Sequence, residues 1–183
     1  MSTCGLLSLE GSATIGGNGV VPVDNKGLEA VDSLVAQQNA SVSSIFDSPE
    51  AFLGLPDGTL EQFKTATLTT PFNSLVYITQ DYVGPVDFGN SSGILVVHNQ
   101  FKTSELQITT GVFKGLIICD RMARISGNAE IIGAVVTLSD AEVSTFGTGT
   151  AIIKYSRPVL EKLTDYCRNF KKRVVEIAWE ESN

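Results

Sequence analysis

Residues 111–137 read GVFKGLIICDRMARISGNAEIIGAVVT. Three short apolar runs, broken by glycine or polar turn residues, lie at 116–118, 123–126 and 129–136. Their β-branched side chains favour strands, and none of the runs is long enough for a helix capped at both ends. The tetrapeptide that begins at Gly115 recurs in similar form at Gly133. We therefore interpret this stretch as one coil of a repeating β-structure.

Similar runs recur along the second half of the chain, about 20 residues apart. They begin at Leu75, Ile94, Leu116, Ala134 and Ala151, with secondary runs from Val86, Leu106, Ala123 and Ala141 between them. A period near 20 with two or three strands in each period is typical of one turn of a parallel β-solenoid. Glycines at 89, 127, 147 and 149 supply corners where positive φ is easily adopted.

An antiparallel sandwich is the alternative architecture, because it also contains short strands at such spacing. The runs, however, are almost continuously apolar, as in strands that face other layers on both sides. Two-residue Asn-Gly or Asp-Gly hairpins are also missing between successive runs after Ser74. Both observations favour the solenoid, with coils over residues 74–155.

The first part of the chain combines the same unit with a helical block. Leu9–Gly17 matches Ile125–Gly133 without a gap, which predicts a first strand segment within 6–23. Residues 24–73 change to helical patterns near 27–65. The helix candidates begin at Gly27, after the N-cap residue Ser48, and at Asp57. We expect this block to lie as an insertion on the side of the β-body.

The pattern changes again at residues 156–183, which predict a helix and then a final strand. Ser156 is a suitable N-cap, Pro158 suits the first turn, and apolar residues from Val159 to Phe170 form one stripe. Val175, Ile177 and Trp179 alternate with polar or small residues. Because the last coil of a solenoid leaves apolar groups uncovered, we expect the helix to cap it. The whole chain, 1–183, is predicted to be one domain.

Composition excludes several classes of partner. The net charge is −7 with 13 Lys and Arg residues, which argues against nucleic acid and against an acidic membrane surface. No apolar run of 18 residues occurs. The three cysteines, Cys4, Cys119 and Cys167, show neither a metal-binding nor a disulfide pattern, and Cys119 is interpreted as a small core residue.

Polar residues after the strands are the candidates for chemistry. Asp81, Asn99 and Asp120 follow their strands at similar offsets, so a solenoid brings them to one corner, with Arg121 close by. Polysaccharide lyases built on β-helices use aspartates for calcium and a basic residue as the base. The simpler interpretation is polar residues where strands turn, and the single histidine, His98, is likewise interpreted as a turn residue. We assign no catalytic, cofactor-binding or metal-binding residue.

A family resemblance appears once the coils are aligned. The segments Gly93–Val97, Gly111–Ile118, Ile125–Val136 and Gly149–Ser156, together with the Trp179 tail, resemble the C-terminal domain of bacterial PilX-type type IV pilus assembly proteins. The resemblance covers about residues 74–180 and brings no catalytic residue. It implies an exported β-rich domain that follows an apolar N-terminal helix in the inner membrane or pilus core. This sequence lacks such a helix. We therefore expect the chain to be a fragment, attached to the membrane only through that missing helix.

These expectations together predict a non-enzymatic structural or assembly component of a type IV pilus-like or related secretion apparatus. Its partners would be other pilus or secretion proteins, on the periplasmic or extracellular side, and it would need no cofactor. One alternative is a carbohydrate-binding or polysaccharide-cleaving β-helix protein that uses Asp81, Asp120 and Arg121. A further alternative is a self-assembling scaffold of the bactofilin kind, which the capping helix disfavours because end-to-end stacking needs bare terminal coils.

Overall fold

A computed structural model of the protein describes residues 14–17, 46–139 and 148–163. Within these ranges the chain forms a parallel β-solenoid of about four turns with few helices, which confirms the predicted fold class. Its strands are β1 (Thr14–Gly17), β2 (Lys64–Thr65), β3 (Asn73–Ile78), β4 (Tyr82–Val97), β5 (Glu105–Cys119), β6 (Arg121–Ile125), β7 (Glu130–Thr137) and β8 (Ile152–Tyr155). The helical elements are α1 (Pro49–Leu53), the 3-10 turn η1 (Glu61–Phe63) and a helix over 157–163.

One long parallel ladder runs through the whole stack in the order β1-β8-β7-β5-β4-β3-β2. A second ladder joins the first halves of β4 and β5 to β6. The strands β4 and β5 therefore each continue through a corner and contribute to two faces of the solenoid. Irregular register between Val83 and Asn90 lies in the half of β4 that approaches this corner.

The register confirms the sequence repeat over most of its length. Gly115 lies opposite Gly133, and the run from Leu116 lies opposite the run from Ala134. The prediction is wrong for the last run, because Ile152 lies opposite Glu130 and not opposite the middle of β7. This register places Ile153 over Ile131, so that two buried side chains of equal size stack in the interior.

Strand β1 lies at the end of the stack that the C-terminal coil forms. Ile15 is opposite Ile153, which is itself opposite Ile131. This is the register of the sequence match between Leu9–Gly17 and Ile125–Gly133, so the match identified equivalent positions in the solenoid. The rest of the predicted 6–23 segment lies outside the described residues.

Apolar side chains of the principal strands pack on both sides of the sheet. Leu95 and Val97 belong to the inner core, whereas Ile94 and Val96 belong to an outer cluster. That outer cluster also contains Leu55, Leu60, Leu75, Tyr77, Leu116, Ile118, Val136, Leu138 and Leu163. Burial on both faces explains the continuous apolar runs, and the described part of the insertion lies on the side of the β-body as expected.

The described helices match their predicted signals except at one place. The Ser48 hydroxyl accepts a hydrogen bond from Ala51 N at 3.1 Å, as an N-cap should. The helix predicted from Asp57 is wrong: the segment holds only η1, and β2 begins at Lys64. The reason is Gly58, whose φ of +79° is incompatible with a right-handed helix.

The C-terminal helix begins after Ser156 as predicted, and Leu160 N donates to Ser156 O at 3.2 Å. Its buried Leu163 joins the outer cluster, while the backbone edge of β8 is paired with β1. The helix predicted from Gly27 and the strand predicted around Trp179 lie outside the described residues. Among the described helices, none combines the length and the apolar character that a bilayer crossing requires.

Candidate functional site

The ends of three principal strands bring polar side chains to one corner of the solenoid. Strands β3, β4 and β5 end in register, and the residues directly after them are Thr79, His98 and Asp120. Because coils of a parallel solenoid stack with matching residues above one another, these three positions form a column. Polar residues after three successive strands therefore meet at one corner.

Asp120 is the centre of this corner, and its side chain is fully buried. Its Oδ1 lies 2.6 Å from Nδ1 of His98. Its Oδ2 accepts from Asn99 N at 3.0 Å and from Ser104 N at 3.2 Å. Because a carboxylate oxygen only accepts, His98 carries a hydrogen on Nδ1. Both oxygens of this buried group are thus engaged in holding the chain around the corner.

Asn99 fixes the turn that follows β4. Its Oδ1 accepts from Phe101 N at 3.0 Å and from Thr103 N at 3.1 Å, and its Nδ2 donates to Asp81 Oδ1 at 2.8 Å and to Thr103 Oγ1 at 3.0 Å. An asparagine side chain that bonds to backbone groups two and four residues ahead stabilises a compact turn. The loop between β4 and β5 is therefore held by side chains from three successive coils.

The candidates Asp81, Asn99 and Asp120 are brought together, as the sequence predicted, but in different environments. Asp81 is exposed and contacts Asn99, whereas Asp120 is buried. Arg121 begins β6, its backbone N donates to Ser104 O, and its buried Nε has no hydrogen-bond partner within the part of the chain that the structure describes. In those ranges no group of three or more His, Cys, Asp or Glu side chains is close enough to hold a metal ion.

An aromatic and a cationic side chain extend the corner toward η1. The Tyr77 ring stacks on the His98 ring with centroids 6.4 Å apart, and Lys64 Nζ lies 5.1 Å from the Tyr77 ring centroid. Lys64 also pairs with Glu61 at 2.6 Å. Burial, followed by the nearby charges of Glu50, Glu61 and Asp120, raises the pKa of the Tyr77 hydroxyl. Tyr77 is therefore un-ionised at neutral pH.

Cys119 precedes Asp120 and has the environment that the sequence predicted, since its side chain is fully buried in the inner core. Burial, and then the adjacent Asp120 charge, raises the pKa of its thiol. A thiol in this environment is an inert packing group. Cys4 and Cys167 lie outside the described residues.

The contact between His98 and Asp120 was missed in the sequence, although a signal for it was present. The runs that begin at Leu75, Ile94 and Leu116 each contain four residues, so the next residue after each run falls in the same column. Counting from the run starts would have paired His98 with Asp120. Grouping Asp81 and Asn99 with Asp120 by similar offsets tolerates a difference of one or two residues in position. That difference conceals the contact between His98 and Asp120.

A cleft of about 370 Å³ opens beside this corner. The lining includes Lys64, Tyr77, Thr79, Asp81, His98, Asn99, Gln100 and Phe101. The Phe101 side chain is 72% exposed, although Asn99 fixes the backbone on both sides of it. The corner thus combines a buried histidine–aspartate pair with an open recess and one exposed aromatic ring.

The chain matches no protein-family model, no curated protein and no solved structure.

Proposed function

We propose that this chain is a non-enzymatic structural component of a type IV pilus-like or related secretion apparatus. In this proposal the solenoid is the exported part, on the periplasmic or extracellular side, and presents a surface to other pilus or secretion proteins. The assignment to a pilus-like apparatus comes from the resemblance of residues 74–180 to PilX-type proteins, whose recognised motifs are mostly apolar residues and glycines.

The observation that carries the non-enzymatic part is the environment of Asp120. A catalytic carboxylate or a calcium ligand needs an oxygen that faces its substrate or ion. Both oxygens of Asp120 instead bond to His98, Asn99 and Ser104, and the residue is fully buried. This use of the strongest candidate residue supports a structural role over the alternative in which Asp81, Asp120 and Arg121 cleave polysaccharide.

Assembly with partners on the side of the solenoid and end-to-end polymerisation require different surfaces. A scaffold that grows by stacking coils needs a bare strand at each end. In the described ladder β8 is paired with Thr14–Gly17 of the same chain, so the outermost strands are β1 and β2. Light scattering at high protein concentration distinguishes the two, because a stacking scaffold grows in mass with concentration and a component that binds partners through its side does not.

Deletion of the gene in its own organism tests the proposal. We expect fewer surface filaments by electron microscopy, or less secretion, and recovery on complementation with the full-length gene. Unchanged filaments and secretion after deletion contradict the proposal. So does purified protein that, with calcium, shortens an acidic polysaccharide, because that activity belongs to the carbohydrate-cleaving alternative.

A further inference from the structure

The cleft at the β3–β5 corner contains side chains that the structural role of Asp120 does not use. The polar atoms of Asp120 and Asn99 bond within the turn. Three other residues of the lining, Thr79, Asp81 and Gln100, are exposed, and the Asp81 side chain bonds to the turn only through the Asn99 amide among the described residues. The corner is therefore built in two layers, a satisfied inner network and an outer set of polar groups that face solvent.

The inner network positions the groups of the outer set. Nδ1 of His98 is bonded to Asp120, so Nε2 is the ring nitrogen left for a ligand, and the contact with Tyr77 fixes the ring plane. Among the described residues, Asp81 is held by Asn99 through Oδ1 alone, which leaves Oδ2 as a second acceptor. Groups whose orientation is fixed before a ligand arrives lose little entropy on binding it.

Phe101 supplies an apolar surface at the mouth of the cleft. Its ring is the most exposed of the large apolar side chains in the described part of the chain, at 72%. The backbone on both sides of it is bonded to the Asn99 side chain. A rigidly presented aromatic ring binds an apolar face of a ligand at low entropic cost.

The charges in the lining select against strongly charged ligands. Lys64 and Asp81 are opposite in sign, and Lys64 is already paired with Glu61. An anion would meet Asp81 and the nearby Glu61, whereas a cation would meet the Lys64 ammonium group. A neutral ligand with one apolar face and several hydroxyl groups avoids both penalties and suits the mixed donors and acceptors.

We propose that this cleft binds a neutral sugar residue, whose C–H face packs on Phe101 while its hydroxyl groups bond to Asp81, Gln100 and His98. The site differs from the calcium-dependent arrangement of Asp81, Asp120 and Arg121, because it uses neither Asp120 nor Arg121 and needs no metal ion. It also stands without the pilus proposal, since sugar binding is measured on the purified chain and filament formation in the organism.

The proposal is tested by measuring the binding of the purified chain to a glycan array of neutral, N-acetylated and acidic oligosaccharides. We expect binding to a set of neutral oligosaccharides, unchanged by EDTA. Isothermal titration calorimetry with the strongest of these should show that Phe101→Ala weakens binding at least about fivefold, because the stacked apolar area is lost. Gln100→Ala should weaken binding through the loss of a hydrogen-bonding amide.

Tyr155→Ala is the matched control, because Tyr155 is a 48% exposed aromatic residue on β8, outside the cleft lining. It should bind as the original chain does, and thermal melts should show that all three variants are folded. Three results overturn the proposal: no binding across the array, binding restricted to acidic sugars, or equal affinity of Phe101→Ala and the original chain.

Discussion

Asp120 shows how a carboxylate that resembles a catalytic residue in sequence becomes part of the framework. Its position directly after an apolar strand takes it out of water, where an unpaired charge is costly. Donors from His98, Asn99 and Ser104 compensate for this loss of hydration. The same bonds tie the ends of β4 and β5 together, so that a residue at the corner contributes to the stacking of coils.

Replacement of Asp120 by alanine should therefore destabilise the protein strongly. The change leaves three donors around a buried position without their acceptor, and we expect a loss of about 3 kcal/mol in the free energy of unfolding. Urea denaturation followed by circular dichroism measures it. Asp47→Ala is the control, since the Asp47 side chain is 99% exposed in its pair with Lys102, and it should cost less than about 1 kcal/mol. Equal losses in the two variants would show that the Asp120 bonds are unimportant.

At the scale of the elements, a column of small residues sets how closely the principal strands approach. Gly93, Gly115 and Gly133 lie in register in β4, β5 and β7. A Cβ atom on Gly115 would lie 1.9 Å from Gly93 O, and one on Gly133 would lie 1.9 Å from Gly115 O. The recurring glycine thus marks a place where each coil contacts the backbone of the coil before it.

Gly115→Ala should separate the coils at this column. The methyl group has no space beside Gly93 O, so either β5 moves away from β4 or the ladder breaks, at a cost of at least about 2 kcal/mol. Gly58→Ala is the control for Gly115→Ala, because it introduces backbone strain without the steric clash. Gly58 also has positive φ, +79°, but its Cβ would meet only Glu61 Cγ at 3.9 Å, and we expect a loss of about 1 kcal/mol. Thermal melts compare the two variants, and a smaller loss for Gly115→Ala would refute the steric argument.

For the whole molecule, the order of the strands in space differs from their order in sequence. The first strand of the chain, β1, pairs with the last, β8, at one end of the stack. A parallel strand at an edge otherwise presents unpaired backbone groups that promote association. The N-terminal segment therefore pairs the edge of β8, and β1 takes its place as the outermost strand of the described ladder.

Removal of residues 1–17 should expose the edge of β8 while the rest of the solenoid stays folded. We expect faster amide hydrogen exchange in the peptide that contains Ile152–Tyr155, from the amides that face β1, whereas Ile152 N keeps its bond to Ala129 O. Protection should be unchanged in β3, which lies at the other end of the ladder. Exchange measured by mass spectrometry reports both regions in one experiment. Equal exchange of β8 in the shortened and complete chains would show that β1 does not protect it.

Much of the fold was predictable because the solenoid repeats locally. Each coil needs glycine where backbones approach and apolar residues on both faces of its principal strand, and the segments around Gly115 and Gly133 show both requirements. The exceptions were the segment from Asp57, where Gly58 prevents a helix, and the last coil, where an even spacing gave the wrong register. Periodicity alone does not fix the length of a loop between two strands.

The sequence by itself determined the architecture, through the apolar runs, the corner glycines and the match between Leu9–Gly17 and Ile125–Gly133. It also predicted that Asp81, Asn99 and Asp120 would meet at a corner. Only the tertiary structure decided that Asp120 is buried against His98, that Phe101 remains exposed beside a cleft, and that β1 pairs with β8 at the end of the stack. The reason is physical: periodicity is a property of neighbours along the chain, whereas burial and hydrogen-bond partners depend on which coils stack and in which register.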